Sequence, residues 1–370
     1  MKKQIIKEFI TIKKVRRLPP KEPPAEPPVP RRVLVVGRCT LDMITVCDDH
    51  PSPGVTQRTE EGFWRLGGHA ANTCCVLRRL GTECEFLGQL SSIGAFEHLL
   101  SSFHAMGIDI SSCPRTAHDP PHQSIVVVRG QETRTTVEYS KRKHELTFQQ
   151  FVGAVDYRKY SWIHFEARHP RETLRMMQAV RDYNARNEDA NIIVSVNLAN
   201  KRPLGLLLAN MADYVIVHHG FLKLYGYMNG REAVWAVRER LLVMQKRWLA
   251  KKPKITPSPN PDEQQLDHDC APPVRKQPTI IYENYEQGAS CLMADDRYFK
   301  VGGQQPQKIE DTIGEHDTFV GAFIYALQEI KLSLRDALEY GTRATSHKIT
   351  QFGFDCLRCM PKDLISCYYA

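Results

Sequence analysis

The sequence predicts an α/β fold, a mostly parallel β-sheet covered by helices. Three observations predict it. From Val33 onward, short runs rich in Val, Ile and aromatic residues alternate with segments of helical periodicity, which is β-then-α order. Those runs are largely apolar and mostly flanked by polar residues or glycine, as strands of a buried sheet are. The chain has 370 residues, 42% of them apolar, enough for a sizeable core.

The expected strands are Val33–Gly37, Trp162–Phe165, Ile192–Val196, Tyr214–Val217, Thr279–Tyr282 and Ser290–Met293. Ile93, Phe96, Leu99, Leu100, Phe103 and Met106 recur at helical spacing and Gly107 supplies a left-handed stop, so this segment is a helix. A second helix carries Ala70, Cys74, Leu77 and Leu80 on one face and closes at Gly81. Two regions break the alternation, Leu41–Trp64 and Gln123–Tyr139. In the latter, Ile125–Arg129 and Thr135–Tyr139 flank a turn at Gly130 as a hairpin, and the two regions are expected to form a separate small sheet.

Two segments have little to bury. Residues 1–31, rich in Lys, Arg and Pro, read as a tail ahead of one domain spanning 32–370, and residues 246–277 read as an inserted loop. Lys and Arg number 50 against 42 Asp and Glu, a net charge of +8, and much of the excess lies in these segments. The tail suits either an RNA, membrane or SH3-type contact or a solvated leader; Glu8, Glu22 and Glu26 argue against a mitochondrial transit peptide. Neither segment interleaves aromatics with its basic residues, so no nucleic-acid partner is expected, and no apolar run is long enough to span a bilayer. Eleven cysteines without a repeating spacing, and no signal-like N-terminal stretch, point to a reducing compartment, the cytoplasm. Cys356 and Cys359 form a C-x-x-C with no second pair and read as free thiols.

Neither a G-x-x-x-x-G-K-[ST] loop nor a G-x-G-x-x-G fingerprint occurs, so a phosphate site needs another device. Asp311-Thr312-Ile313-Gly314-Glu315-His316-Asp317 precedes the apolar helical run Phe319–Ile330. A turn entering a helix there aims free backbone N–H groups and the positive end of the helix dipole at an anion. Asp317 in that turn fits two roles: a general base taking the proton of an attacking hydroxyl, or a helix N-cap. Gly67-Gly68-His69-Ala70-Ala71-Asn72 opens the helix closed by Gly81; paired glycines admit a ligand to the backbone, and Asn72 offers a donor and an acceptor to a sugar hydroxyl or serves as ordinary helix-start chemistry. Asp42, just after the first strand, is either a ligand-binding acid at a strand's carboxyl end or a solvated loop acid.

Together these elements resemble the ribokinase (PfkB) family of sugar kinases, and within it ketohexokinase, from Val33 to Phe354. GGHAAN matches the family's glycine-rich sugar signature, Asp42 in GRCTLD its sugar-binding loop acid, and DTIGEHDTFVGAF its second signature. WIHFEAR at Trp162–Arg168, YEQGA at Tyr285–Ala289 and ALEYG…HKITQFGFD are further similarities. The resemblance implies a three-layer α/β/α sandwich with a small β-sheet lid that also clasps a second subunit into a homodimer. It implies ATP with Mg²⁺ as phosphoryl donor and a ketohexose such as fructose as acceptor. Asp317 becomes the catalytic base, with an anion hole at Gly314, Glu315, His316 and the N–H of Asp317. Asp42, Gly68, His69, Asn72 and Arg168 hold the sugar, while Gly288, Ala289 and the helix end at Ala344–Lys348 flank the nucleotide.

The chain departs from the family at three positions. Family members carry Ala-Gly where Glu315 and His316 stand, and ketohexokinase-like proteins carry Asn where His69 stands. A carboxylate turned inward at 315 repels phosphate, whereas a protonated His316 donates to it. Two expectations result: an active sugar kinase, or a pseudokinase that binds sugar or nucleotide without turnover.

Overall fold

The computed structural model describes residues 31–362, apart from 130–133, 142–143, 188, 199–204, 221–225, 228, 251–276, 285 and 307. Residues 1–30 are a unit of their own outside this set, so the expected tail lies outside the described residues, as does most of the expected insertion. Every described strand and helix belongs to the unit that starts at Arg31.

An eight-stranded sheet carries the fold, in the order β14-β13-β12-β11-β10-β9-β1-β4. Its strands are β1 (Arg32–Val36), β4 (Cys84–Leu87), β9 (Tyr160–Glu166), β10 (Ile193–Leu198), β11 (Tyr214–His218), β12 (Thr279–Asn284), β13 (Gly288–Leu292) and β14 (Tyr298–Val301). The pairs from β4 to β12 are parallel, and β13 and β14 add an antiparallel edge. β4 and β14 escape the sequence reading because four residues each give too short a run to separate from a loop.

Alternate side chains of β9 serve opposite faces, as the strand period requires. Trp162 meets Phe323 of α7 (Glu315–Gln328) on one side, and Phe165 meets Phe151 of α3 (Phe148–Ala154) on the other. Trp162, Phe165, Phe151 and Phe323 are all fully buried. Burying a side chain of this size stabilises the fold by about 1.5–3 kcal/mol, so such layers fix the sheet between its helices. The Trp162 indole N–H donates to Ser195 Oγ at 2.7 Å, which satisfies the ring's one polar group.

Helix α1 (His69–Leu80) ends at Gly81 with φ 108, as the periodicity predicts. The expected helix at Ile93–Met106 is divided: Gly94–Phe96 form a 3₁₀ turn, then α2 spans Glu97–Ala105. α4 (Pro170–Arg186) and α5 (Leu206–Ala209) follow, and α6 (Gly230–Ala250) runs past residue 246, where the loop was expected to begin. α8 (Leu334–Lys348) packs against α7. None of the helices among the described residues is long and apolar enough to cross a membrane.

The two irregular regions do form a second sheet, in the order β3-β2-β7-β8, from β2 (Thr40–Cys47), β3 (Glu61–Gly67), β7 (His122–Val128) and β8 (Arg134–Tyr139). Its inner face buries Ile44, Val46, Ile125 and Val127 against Ile313, so it covers the segment that carries the phosphate-turn motif. A short β5 (Leu90–Ser91) pairs with β6 (Arg115–Thr116). Strand order reverses between β1 and β9, the place where open α/β sheets bind ligands at their carboxyl ends.

Candidate active site

Helix α7 begins at that crevice. Gly314 occupies its N-cap with φ 80, and a Cβ there would meet the Phe354 ring at 2.5 Å, so backbone conformation and space both require glycine. Asp317 is therefore the third residue of the helix and not its cap, which removes the capping role. Its side chain turns to other side chains: Asn72 Nδ2 donates to Oδ2 at 2.8 Å and His69 Nδ1–H to Oδ1 at 2.7 Å. Burial pushes the Asp317 carboxyl up, but the His69 charge and hydrogen bond, with His316 and Asn72, outweigh it and hold the group below the usual carboxylate range. Burial opposes the His69 imidazolium too, yet Asp317 raises it to about 9. At neutral pH the two form an ion pair whose acid is 2% exposed and whose His69 side chain is 39% exposed.

The turn is braced from two sides. Asp311 accepts from Arg65 of β3 at 2.9 Å, Lys348 of α8 at 2.9 Å and the N–H groups of Ile313 and Gly353 at 2.9 and 3.0 Å. Burial opposes its charge, but Lys348 and Arg65 prevail and hold its carboxyl far below the usual range. Lys348, expected beside a nucleotide, is instead fully buried; its ammonium donates to the Asp311 carboxylate and, at 2.6 Å, to the Asp311 carbonyl, and burial pulls it down to about 8. It grips the turn from behind. Arg134 of β8 reaches over from the small sheet and donates to the Thr312 hydroxyl at 2.7 Å and carbonyl at 3.2 Å.

The interior of the turn departs from expectation. The Glu315 N–H bends back to the Thr312 carbonyl at 3.2 Å, so of the N–H groups assigned to an anion this one is already engaged. Those of His316 and Asp317 belong to the first helical turn, which has no intrahelical acceptor for them. The Glu315 carboxylate faces His218 Nε2 at 3.6 Å; burial opposes its charge, but His218 and Arg134 lower its pKa. His316 Nδ1 lies 2.6 Å from Glu283 Oε2 and Nε2 lies 2.7 Å from Asn197 Oδ1. Burial pulls His316 down to about 4, and both of its ring nitrogens already face protein partners, Glu283 and Asn197, so its side chain points away from a role as donor to phosphate.

On the sugar side, Asp42 lies inside β2 and is 2% exposed, which excludes a solvated loop acid. It accepts from Thr40 Oγ1 at 2.6 Å, and burial raises it to about 6 against the opposing effects of Thr40 and Arg65. The paired glycines make room for the chain itself. A Cβ on Gly67 would strike the Asp42 carboxylate, and one on Gly68, at φ 93, would come within 2.6 Å of the Arg38 carbonyl oxygen. Arg168 is held by Glu145 at 3.1 Å and Glu138 at 3.3 Å, and Arg38 by Glu138 at 2.6 Å. Gly288 and Ala289 open β13, where Ala289 is the cross-strand partner of Glu283; Gly288 has φ 85 and no room for a Cβ beside the Val301 carbonyl. Tyr285 lies outside the described residues.

The structure thus brings Asp317, Asn72, His69 and the 314–316 turn together, with Arg168 close enough to shift His69 and Asp42 close enough to be shifted by Asp317 and His69. Sequence reasoning missed Arg65, Arg134, Asn197, His218 and Glu283. The last three had a signal: each is a polar residue at the carboxyl end of an apolar run, where such a sheet places ligands.

Comparison with known proteins points to one family. A family model described as pfkB family carbohydrate kinase matches residues 30–220. The chain is 26% identical to ketohexokinase of Mus musculus over 88% of its own length and 98% of that protein's. It is 23% identical to a ribokinase of Staphylococcus aureus (strain COL) over 34% of this chain and 41% of that one. Among solved structures, ribokinase from Giardia lamblia superposes with a TM-score of 0.69 at 14% identity, covering 92% of this chain and 99% of the other.

Proposed function

Because the chain belongs to the PfkB family of carbohydrate kinases, we propose that it transfers the terminal phosphoryl group of ATP, delivered as its magnesium complex, to a hydroxyl of a small sugar, with a ketohexose such as fructose the first candidate. The similarity to ketohexokinase over nearly the whole chain supports the substrate class. The observation that carries the reading is Asp317: a buried, ionised carboxylate at the start of α7, next to first-turn N–H groups. Such a helix start suits a phosphate, and most of the catalysis in phosphoryl transfer is positioning and electrostatics.

In this reading Asn72 keeps Asp317 Oδ2 oriented while the sugar hydroxyl replaces His69 at Oδ1; His69, the more exposed partner, is the one able to leave. Asp317 then accepts the hydroxyl proton. Asp42, Asn72, His69 and the backbone of Gly68 bind the other sugar hydroxyls, Arg168 closes the rim, and the nucleotide lies toward Gly288 and Ala289 at β13.

A homodimer through the small sheet belongs to the same proposal. On its outer face Trp64, Met43, Ser124 and Val137 are successive cross-strand partners, and the apolar Trp64 and Val137 at its two ends are 60% and 68% exposed, suited to a second copy.

The test is phosphoryl transfer from Mg·ATP to a panel of ketoses and nucleosides, against an Asp317→Asn control expected to be about 10²–10⁴-fold slower. No product above that control overturns the reading. A second reading, binding without turnover, is favoured by His69 sitting on the Asp317 carboxylate. Calorimetric binding of sugar or ATP with no transfer supports it, and the double variant Glu315→Ala/His316→Gly separates the two: a dormant site gains activity, an adapted one loses it.

A further inference from the structure

The carboxyl ends of β10, β11 and β12 bring a second constellation against the floor of the phosphate turn. One imidazole nitrogen each of His218 and His316 and a carboxylate oxygen of Glu283 lie within 4.8 Å of one another, and an overlapping group joins His218 and His219 to Glu315. The His218 and His316 rings meet edge to face with centroids 4.7 Å apart. His316 and Glu283 are 3% and 1% exposed, so neither is a surface residue turned inward by chance.

The hydrogen bonds around His316 define what the cluster asks for. Asn197 Oδ1, at 2.7 Å, is an acceptor and places the ring proton on Nε2. The Nδ1 lone pair then faces Glu283 Oε2 at 2.6 Å, two acceptors that only a cation between them reconciles. A proton does so in the state described, while the other Glu283 oxygen, Oε1, is buried without a hydrogen-bond partner. A ligating histidine whose far nitrogen donates to a carbonyl is the usual way a protein orients an imidazole on a metal.

We infer that His218, Glu283 and His316 form a three-ligand site for a divalent first-row transition ion of the zinc type, with Glu315 beside it across His218. Two imidazoles and one carboxylate give an N₂O donor set that leaves the fourth position of a tetrahedral ion open, and imidazole selects this class over magnesium, an oxygen-seeking ion. Ligands about 2.0–2.1 Å from a tetrahedral zinc stand roughly 3.3 Å apart. The Glu283–His316 pair, 2.6 Å apart, opens by under about 1 Å to admit the ion. Loading at Nε2 moves the His218 proton to Nδ1 and releases the Gly220 N–H, which donates there at 3.1 Å. The ion sets positive charge beside the first-turn N–H groups of α7, offsetting the carboxylate that Glu315 brings to a phosphate turn.

Ion binding here is independent of turnover, and so is its test. Full-length protein with Cys356→Ser and Cys359→Ser, which removes the competing C-x-x-C thiols, is stripped with chelator and titrated with Co²⁺, then Zn²⁺. One equivalent of Co²⁺ with a tetrahedral visible spectrum is expected, displaced by Zn²⁺. Affinity falls about 100-fold or more in Glu283→Gln and in His316→Gly, and about 10–100-fold in Asn197→Ala, which acts through His316. No saturable spectrum, or one unchanged in Glu283→Gln and His316→Gly, overturns it. Zinc-edge X-ray absorption on the His316-containing protein keeps the test decisive should a variant misfold: imidazole and oxygen neighbours are expected, and a zinc shell without imidazole sinks the site.

Discussion

Asp311 and Lys348 should be unequal partners. They are 1% and 0% exposed and 2.9 Å apart. Asp311→Asn strands the Lys348 ammonium in the interior, and an uncompensated buried charge costs about 3–5 kcal/mol. Lys348→Met is milder, because Asp311 keeps Arg65 at 2.9 Å and the N–H groups of Ile313 and Gly353. It also removes an ammonium that the interior resists, as its pKa of about 8 records; a loss of about 1 kcal/mol follows, in the range of a single hydrogen bond. For a chain of this size the unfolding entropy is roughly 0.8 kcal/mol/K, so Tm falls about 4–6 °C in Asp311→Asn and about 1–2 °C in Lys348→Met. The double variant should lose less than Asp311→Asn alone. Between pH of about 8 and 10.5 the unfolded chain holds the Lys348 proton and the folded chain releases it, so stability rises with pH across that window and the rise disappears in Lys348→Met. Scanning calorimetry and urea unfolding read both effects. A Lys348→Met loss equal to or above that of Asp311→Asn refutes the reasoning.

Three further outcomes are expected. Asp42, raised to about 6, must ionise to accept sugar hydroxyls, so calorimetric sugar affinity increases as pH rises through about 6; a flat profile there contradicts its role. Arg134→Ala removes both bonds to Thr312 and should weaken ATP binding about tenfold, at roughly 1.5 kcal/mol for a charged hydrogen bond, with the far-UV spectrum unchanged; unchanged affinity in equilibrium binding counts against the clasp. Trp64→Glu should give a monomer by analytical ultracentrifugation where the parent chain is a dimer, and a parent that is itself monomeric ends the dimer proposal.

Much of the sheet was legible because parallel strands buried on both faces write themselves as apolar runs, as Ile280 and Ile281 of β12 do. The small sheet was legible as an interruption of that pattern. Asp42 was misplaced into a loop because β2 belongs to a different sheet and starts only a few residues after β1 ends, a break that periodicity does not mark. Lys348 was misread for a different reason: a lysine at a helix end is normally solvated, and only the approach of Asp311 from a distant segment explains its burial. The same holds for His316, whose partners Asn197 and Glu283 come from strands far away in sequence. Local motifs revealed where chemistry sits; pairings between distant segments decide what state each group is in.

Asp42 and Arg65 stand opposite one another on β2 and β3. The acid that would meet the sugar and the cation that grips Asp311 of the phosphate turn therefore share one rung of the ladder, and Arg65 already influences the Asp42 charge. A sugar that hydrogen-bonds Asp42 alters the field at Arg65, and with it the hold on the turn. In the proposed reading a sugar seated at Asp42 is therefore felt at the phosphate turn, and by reciprocity an anion held by the turn is felt at Asp42.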